Sequence, residues 1–389
     1  MQHHALVNPL SRRDLLKGSV ATVALALAGS PAWLLGREET GGGETLIPFL
    51  DAQPVNPKRP MLQWDQLADW ITPNEQLFAV SHYGTPTVEA AGWQLELSGL
   101  VKRPKKFSLQ EIKSRRRKTV IATLECSGNG VNAGFCGAIG NLRWTGTPLA
   151  PLLRESGLLA RGREIVFFGA DEKVEKIREQ DFSQNFARSL AMDDALRDEV
   201  LVAYEMNGEP LSAAHGAPLR LIVPGWFGIA WVKWLNRVEV LDRRYMSKYM
   251  AREYVTIRGE ERDGRTIWRE TSVGPMDVKS VIGRALQLKD GTVRLVGAAW
   301  TDGAPLQRIE VKIDDGPWLP ATIRRTQEAK YAWKFFSFDW RQPAAGEHRV
   351  VSRAIDIEGR AQPDADDPEI KLKRTYWEAN QQWPRKIRI

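Results

Sequence analysis

Two stretches of this 389-residue sequence hold side chains able to do chemistry. In the first, Cys126 follows the apolar run Thr119-Val120-Ile121-Ala122-Thr123-Leu124 and precedes Ser127-Gly128-Asn129-Gly130, so a thiol stands where a buried strand opens into a flexible loop. Loops at strand ends are where sites tend to sit. A thiolate there can ligate a soft metal or act as a nucleophile, because backbone amides in a Gly-rich turn stabilise negative charge. Two plainer readings stay open: Cys126 and Cys136 close a small disulfide loop, or the thiol is a small buried hydrophobe. The second stretch is His215-Gly216-Ala217-Pro218-Leu219-Arg220-Leu221-Ile222-Val223-Pro224-Gly225, continuing to Trp231-Val232-Lys233-Trp234-Leu235. His, Arg and Lys converge there on an apolar, glycine-punctuated segment. That suits a polyanion in an apolar pocket: Arg forks a phosphate, Lys supplies a point charge and Gly lets backbone amides approach. The competing reading is a core strand flanked by solvated charges.

The elements around these stretches suggest two folded units. From about Met61 to Leu241, short strand-like runs (Trp93–Leu97, Thr119–Leu124, Glu164–Phe168, Val200–Tyr204, Leu219–Val223) mix with helix-like stretches such as Pro148–Glu155, which is α+β or mixed α/β patterning. Asp242 to Glu270 reads as a charged connection whose aromatic exceptions are Tyr245, Tyr249, Tyr254 and Trp268. Beyond about Ser280 only strands are expected, at Val293–Trp300, Arg308–Ile313, Trp318–Ile323, Trp333–Phe338 and His348–Ile355, a spacing that argues for a β-sandwich. Residues 29–60, rich in Gly and Pro and without strand or helix periodicity, read as an extended arm.

Composition narrows the classes. With 43% apolar and 26% charged residues the chain is globular rather than disordered or collagen-like. Two cysteines exclude a disulfide-built scaffold and any four-cysteine zinc or iron–sulfur centre, and the lack of Cys-x-x-Cys-His excludes covalent haem. Fifteen tryptophans make an aromatic-lined pocket plausible. At the N-terminus, Ser11-Arg12-Arg13-Asp14-Leu15-Leu16-Lys17 precedes the apolar run Gly18–Ala28, a twin-arginine export signal with a small-x-small cleavage site at Ala26-Leu27-Ala28; the alternative is an uncut anchor. That predicts a periplasmic or otherwise exported protein with residues 1–28 as signal peptide, and no later segment spans a membrane. A run of nine cations between Lys102 and Lys118 has few interleaved aromatics, which argues against nucleic acid and for a solvated face.

Together, the two stretches resemble the sulfite oxidase family of molybdopterin-dependent oxidoreductases. Leu124-Glu125-Cys126-Ser127-Gly128-Asn129 looks like its cysteine motif. Val202-Ala203-Tyr204-Glu205-Met206-Asn207-Gly208, His215-Gly-x-Pro-Leu-Arg220, Val223-Pro224-Gly225 and Val232-Lys233-Trp234-Leu235 follow in family order. The resemblance covers about residues 61–389. It implies a molybdopterin-binding catalytic domain of mixed α/β type over 61–279 and an all-β immunoglobulin-like dimerisation domain over 280–389. It implies a molybdenum–molybdopterin cofactor, with Cys126 as the metal's thiolate ligand. Phe78, His82, Asp171, His215, Arg220, Trp231 and Lys233 resemble the cofactor contacts, and Tyr254 resembles the catalytic tyrosine beside the metal. A large cofactor inserted before export would account for a twin-arginine signal. With no fused haem domain, electrons would leave through a separate carrier, a small cytochrome c, and the protein would be a homodimer.

The sequence also departs from the family. Sulfite-oxidising members carry arginines just before the His82-like histidine and just after the cysteine motif, where this chain has Val80-Ser81-His82 and Asn129-Gly130-Val131. The family's tryptophan before Gly137-Ala138-Ile139 is also missing, Phe135 being the nearest aromatic. Arg385 is expected to correspond to a further family arginine reaching back to the pocket. The leading reading is oxo transfer on sulfite, giving sulfate, with an altered anion pocket. Reduction of a small S-oxide or N-oxide is the alternative, and an exported binding protein without catalysis is a third.

Overall fold

The computed structural model describes residues 44–51, 60–131, 134–325 and 328–389, so the export signal and most of the arm lie outside the described residues. The apolar runs read from the sequence become strands of two sheets in the first unit. One sheet has the order Lys105–Ser108, Gln94–Gly99, Leu235–Leu241, Glu164–Ile177, Gln180–Ala191, and the other the order Arg220–Ile222, Leu201–Met206, Ile139–Pro148, Lys118–Glu125. Among the described residues, Leu235–Leu241 pairs in parallel with Gln94–Gly99 and the other strand pairings are antiparallel. Ile139–Pro148 is almost wholly buried and pairs with both neighbours, yet its mixed sequence, with Asn141, Arg143, Thr145 and Thr147 among the apolar residues, gives no strand-like run. Helices are short. Leu149–Ser156, eight residues long, ends where Gly157 turns left-handed at φ 73°.

The second unit is the expected sandwich. Thr45–Ile47, Lys279–Gln287, Val293–Trp300, Lys334–Trp340 and Thr322–Ile323 form one sheet, and Leu319–Pro320, Leu306–Ile313, Glu347–Asp356 and Arg385–Arg388 form the other. A core that includes Ile282, Leu295, Ile309, Val311, Phe336 and Ile387 lies between them.

The structure corrects three readings. Part of the supposed arm, Thr45–Ile47, is an edge strand of the sandwich paired with Lys279–Gln287; three residues are too few to show an alternation. The charged connection contains a hairpin, Val255–Arg262 with Arg265–Ser272, turning at Asp263-Gly264, both with positive φ. Its second strand is exposed on both faces, which erases the period-two apolar signal. Third, the tail does not stay within the sandwich. Between Asp356 and Arg385 it crosses to the first unit, where the Gly259 and Arg374 amides donate to the Leu372 and Ile257 carbonyls at 2.8 and 2.9 Å. The cationic run lies at the surface, where Lys105 and Arg115 pair with Glu155, Arg117 with Glu205, and Arg116 and Lys118 with Asp198.

The two units share a core. Trp64 stacks on Trp300 at 6.1 Å, the Thr123 amide donates to the Tyr331 carbonyl at 2.9 Å, and the indoles of Trp70 and Trp333 each donate to the other's carbonyl. At its centre lies a buried ion pair. Lys279, 2% exposed, donates from Nζ to Glu125 Oε1 at 2.8 Å and to the Asn129 carbonyl at 3.1 Å; Glu125 is 1% exposed. Trp300 Nε1 donates to Glu125 Oε2 at 2.8 Å, and Asn129 Nδ2 to Oε1 at 3.0 Å.

Removing one partner of a buried pair strands the other charge. Lys279→Met is therefore expected to cost about 3–5 kcal/mol in denaturant unfolding. Adding Glu125→Gln should restore much of that loss, and a double-mutant cycle measures the coupling.

Candidate active site

Cys126 sits one residue past the strand Lys118–Glu125, and its loop is stapled from within. The Cys126 amide donates to the Ala138 carbonyl, the Asn129 amide to the Cys126 carbonyl, and the Ala138 amide to Asn129 Oδ1, at 2.9, 2.8 and 3.0 Å. Asn129 thus closes the loop from both sides. Opposite, the chain at Gly228 comes so close that a Cβ there would lie 2.9 Å from Leu124 and 3.2 Å from the Glu125 carbonyl oxygen, so only glycine fits without a shift. Neither cysteine is disulfide-bonded, which leaves the disulfide reading without support. Cys136 is buried, with its carbonyl accepting from the Trp64 indole at 2.8 Å.

A cavity of about 640 Å³ opens beside Cys126. All nine residues singled out from the sequence line it: Cys126, Tyr254, Phe78, His82, Asp171, His215, Arg220, Trp231 and Lys233. They come from distant elements. His215 ends the turn Ala213–His215, Arg220 opens the strand Arg220–Ile222, and Lys233 precedes Leu235–Leu241. Gly216, at φ 100°, lets the segment after His215 pass against Lys233; a Cβ there would lie 2.9 Å from that of Lys233. His82 stacks on Tyr249 at 4.6 Å, and its Nε2 shares a 3.1 Å hydrogen bond with the Tyr254 hydroxyl.

The cavity's charges are poorly compensated. Burial, reinforced by neighbouring cations, pushes His82 and His215 down to about 4. Burial lowers Arg220 to about 9 and, with help from Arg220, Lys233 to about 7. Lys233 Nζ donates to the Ala214 carbonyl at 2.9 Å, while the buried Arg220 Nε makes no hydrogen bond. Asp171 is raised to about 6 by burial, and its Oδ1 has no partner. The Cys126 thiol is pushed up to about 11, so it keeps its proton at neutral pH unless a cation replaces it.

This donor set fits the cofactor that the family resemblance implies. Two basic side chains and two imidazoles around an unpartnered Arg220 Nε call for an anionic ligand. Among the described residues no group of three or more His, Cys, Asp or Glu converges as a metal site, so a metal on Cys126 would take further ligands from a bound molecule.

The cavity continues outward past Cys126 into a mouth lined by Val80, Val131, Phe135, Tyr254, Tyr376 and Trp377 among others. Val80 is 44% exposed, and Lys373 is the one cation among the described residues that line the mouth. Arg385 does not reach it. Its guanidinium pairs with Asp51 at 2.8 Å, donates to the Ile282 carbonyl and lies over the Phe49 and Trp383 rings, which corrects the expectation that it serves the pocket. Sequence reading missed Tyr376, Trp377, Lys279 and Trp300, which reach the site from the second unit and the tail; local spacing carries no signal for such approaches.

Two family models match the chain. One, described as an oxidoreductase molybdopterin binding domain, matches residues 82–249, and the other, a Mo-co oxidoreductase dimerisation domain, matches residues 270–376. The chain is 29% identical to mitochondrial sulfite oxidase of Drosophila melanogaster, covering 76% of this chain and 56% of that protein. It is 29% identical to Arabidopsis thaliana sulfite oxidase, covering 77% and 84%, and 28% identical to nitrate reductase [NADH] 2 of Phaseolus vulgaris, covering 82% and 40%. The chain therefore spans about half the length of the fly and bean proteins. Among solved structures, the sulfane dehydrogenase SoxCD from Paracoccus pantotrophus matches with a TM-score of 0.71 and 27% identity, over 93% of this chain and 91% of that one.

Lys233 supplies a test in the cofactor-free protein. Its folded pKa is depressed to about 7, so between about 7 and its ordinary value the folded state binds fewer protons than the unfolded one. Stability of the cofactor-free protein should rise with pH across that window. Thermal melts at several pH values should show the rise, and Lys233→Met should flatten it. Separately, Cys126→Ser should leave purified protein without molybdenum by elemental analysis, whereas Cys136→Ser should retain it.

Proposed function

Because the chain belongs to the sulfite oxidase family of molybdopterin-dependent oxidoreductases, we propose that it is an exported enzyme that transfers an oxygen atom at sulfur and passes electrons to a separate carrier. The observation that carries this reading is the convergence of Cys126, Tyr254 and the unsatisfied cationic cluster on one cavity. In it, His82, His215, Arg220 and Lys233 hold the anionic part of the cofactor, Phe78 and Trp231 wall it, and Cys126 binds the metal. When bound, the molybdenum cofactor supplies two-electron oxygen-atom transfer. The chain orients the reacting groups. Tyr254, fixed by its hydrogen bond to His82 and by the Trp377 ring stacked on it at 4.3 Å, presents a hydroxyl donor beside Cys126.

The mouth argues for a weakly held sulfite. A charge-assisted hydrogen bond to an oxyanion is worth about 1.5–3 kcal/mol, and valine stands at both positions where sulfite-oxidising relatives are expected to carry arginine. Losing two such bonds weakens binding by about a hundredfold or more. The neutral mouth equally supports a second reading, reduction of an S-oxide or N-oxide. Export rests on the Ser11–Lys17 pattern, and a cytochrome c is the proposed carrier. The dimerisation-domain match supports a homodimer, so light scattering at micromolar concentration should give twice the chain mass.

Steady-state kinetics with sulfite and with a neutral sulfoxide test the reading. Sulfite should show a high KM that Val131→Arg lowers about tenfold or more, the worth of one new charged contact. Tyr254→Phe should reduce kcat for either substrate. A micromolar KM for sulfite in the unaltered protein would overturn the case for a neutral substrate.

A further inference from the structure

The tail brings two rings to the mouth. Trp377 lies against Tyr254 with ring centroids 4.3 Å apart and planes at 29°, and Tyr376 follows at 4.0 Å from Trp377. Both rings pass 3.4 Å from where a side chain at Gly128 would begin, so they cover the Cys126 loop and Gly128 leaves room for them. The rings are held by a built frame. The Glu378 amide donates to the Ser127 carbonyl at 2.8 Å, and its buried carboxylate accepts from the Thr256 hydroxyl at 2.6 Å, the Gly274 amide at 3.2 Å and Arg258 at 3.4 Å. Lys373 Nζ donates to the Trp377 and Glu378 carbonyls at 3.0 Å each. Backbone oxygens thus occupy Lys373, the one cation among the described residues that line the mouth. Tyr376 is nevertheless 66% exposed, a large ring left in solvent at the end of a rigid support.

We infer that Tyr376 and Trp377 form a substrate-recognition surface that takes an uncharged sulfur group, sulfide or sulfoxide, carried on a flat apolar substituent. The substituent lies on the rings while the sulfur points inward past Tyr254 toward Cys126. The exposed Tyr376 ring with the partly buried Trp377 against it, and Lys373 as the one cation among the described lining residues already bonded to backbone oxygens, favour flat apolar groups over oxyanions. Turnover of such a ligand rests on the oxygen-transfer reading above; its binding does not.

The test is calorimetric titration of the cofactor-loaded protein with methyl phenyl sulfoxide and dimethyl sulfoxide, which present the same polar group with and without a ring. The aryl compound should bind the unaltered protein about tenfold or more tightly than the dimethyl compound. Trp377→Ala should collapse that ratio and Trp377→Phe should regain most of it. Tyr376→Ala removes an exposed ring without emptying packed space, so it keeps the test open if Trp377→Ala does not fold, and it too should lower the ratio. Equal binding of the two sulfoxides, or a ratio that both alanine variants leave intact, overturns the surface. A ring-dependent ratio without turnover of either compound upholds the surface and removes the proposed reaction on sulfoxides.

Discussion

The Glu125–Lys279 pair is the contact on which the rest of the site depends. Two charges are taken out of water one residue from Cys126, which costs several kcal/mol per ion unless every lone pair finds a donor. Here three donors converge on the carboxylate: Lys279, the Trp300 indole and the Asn129 amide group. Two of them come from the sandwich, so the cysteine loop reaches its shape only when the second unit is docked. A buried pair adds little net stability over a packed apolar contact, but it tolerates few geometries. That selectivity suits a loop whose task is to hold a sulfur atom in one place.

The cavity beside that loop works in the opposite way. Its cations are left partly unsatisfied, and burial holds Arg220, Lys233, His82 and His215 below their ordinary pKa values. Such a cluster costs the empty fold stability, and an anionic ligand relieves that cost on binding. Preorganised donors need no reorganisation when the ligand arrives. A protein made this way gains stability when its cofactor binds.

Legibility in the sequence followed the range of the interactions involved. The strand ending at Glu125, the His215–Arg220 segment and the sandwich strands announce themselves through apolar runs and glycine placement within a few residues. Cys126, His215, Arg220 and Lys233 stand out by type and spacing, the other five cavity residues are named through the family likeness, and the structure brings all nine to one place. What escaped is long-range. Nothing near Lys279 says that its ammonium crosses to Glu125, and nothing near Trp377 says that its ring returns to Tyr254. Arg385 shows the converse: a terminal arginine near a tryptophan looked available to the pocket, yet Asp51, from the segment read as an arm, claims it. The hairpin at Asp263-Gly264 escaped because both faces of its second strand are wet, although the turn residues themselves are a strong local sign.

The two ends of the cavity are built from different interactions and can change separately. The inner end relies on charge, and replacing Arg220 or Lys233 would alter how any polyanion is held, whatever substrate follows. The mouth relies on ring faces and valines, and its rings hang from the Glu378 frame in the tail rather than from the sheets that carry the cationic cluster. A substitution at Val131 or Tyr376 therefore alters the mouth and leaves the inner donors in place. What the inner donors hold and what the mouth admits are then set by different side chains. That separation lets the mouth present valine and ring faces while the cavity behind it keeps Arg220 and Lys233 for an anionic ligand.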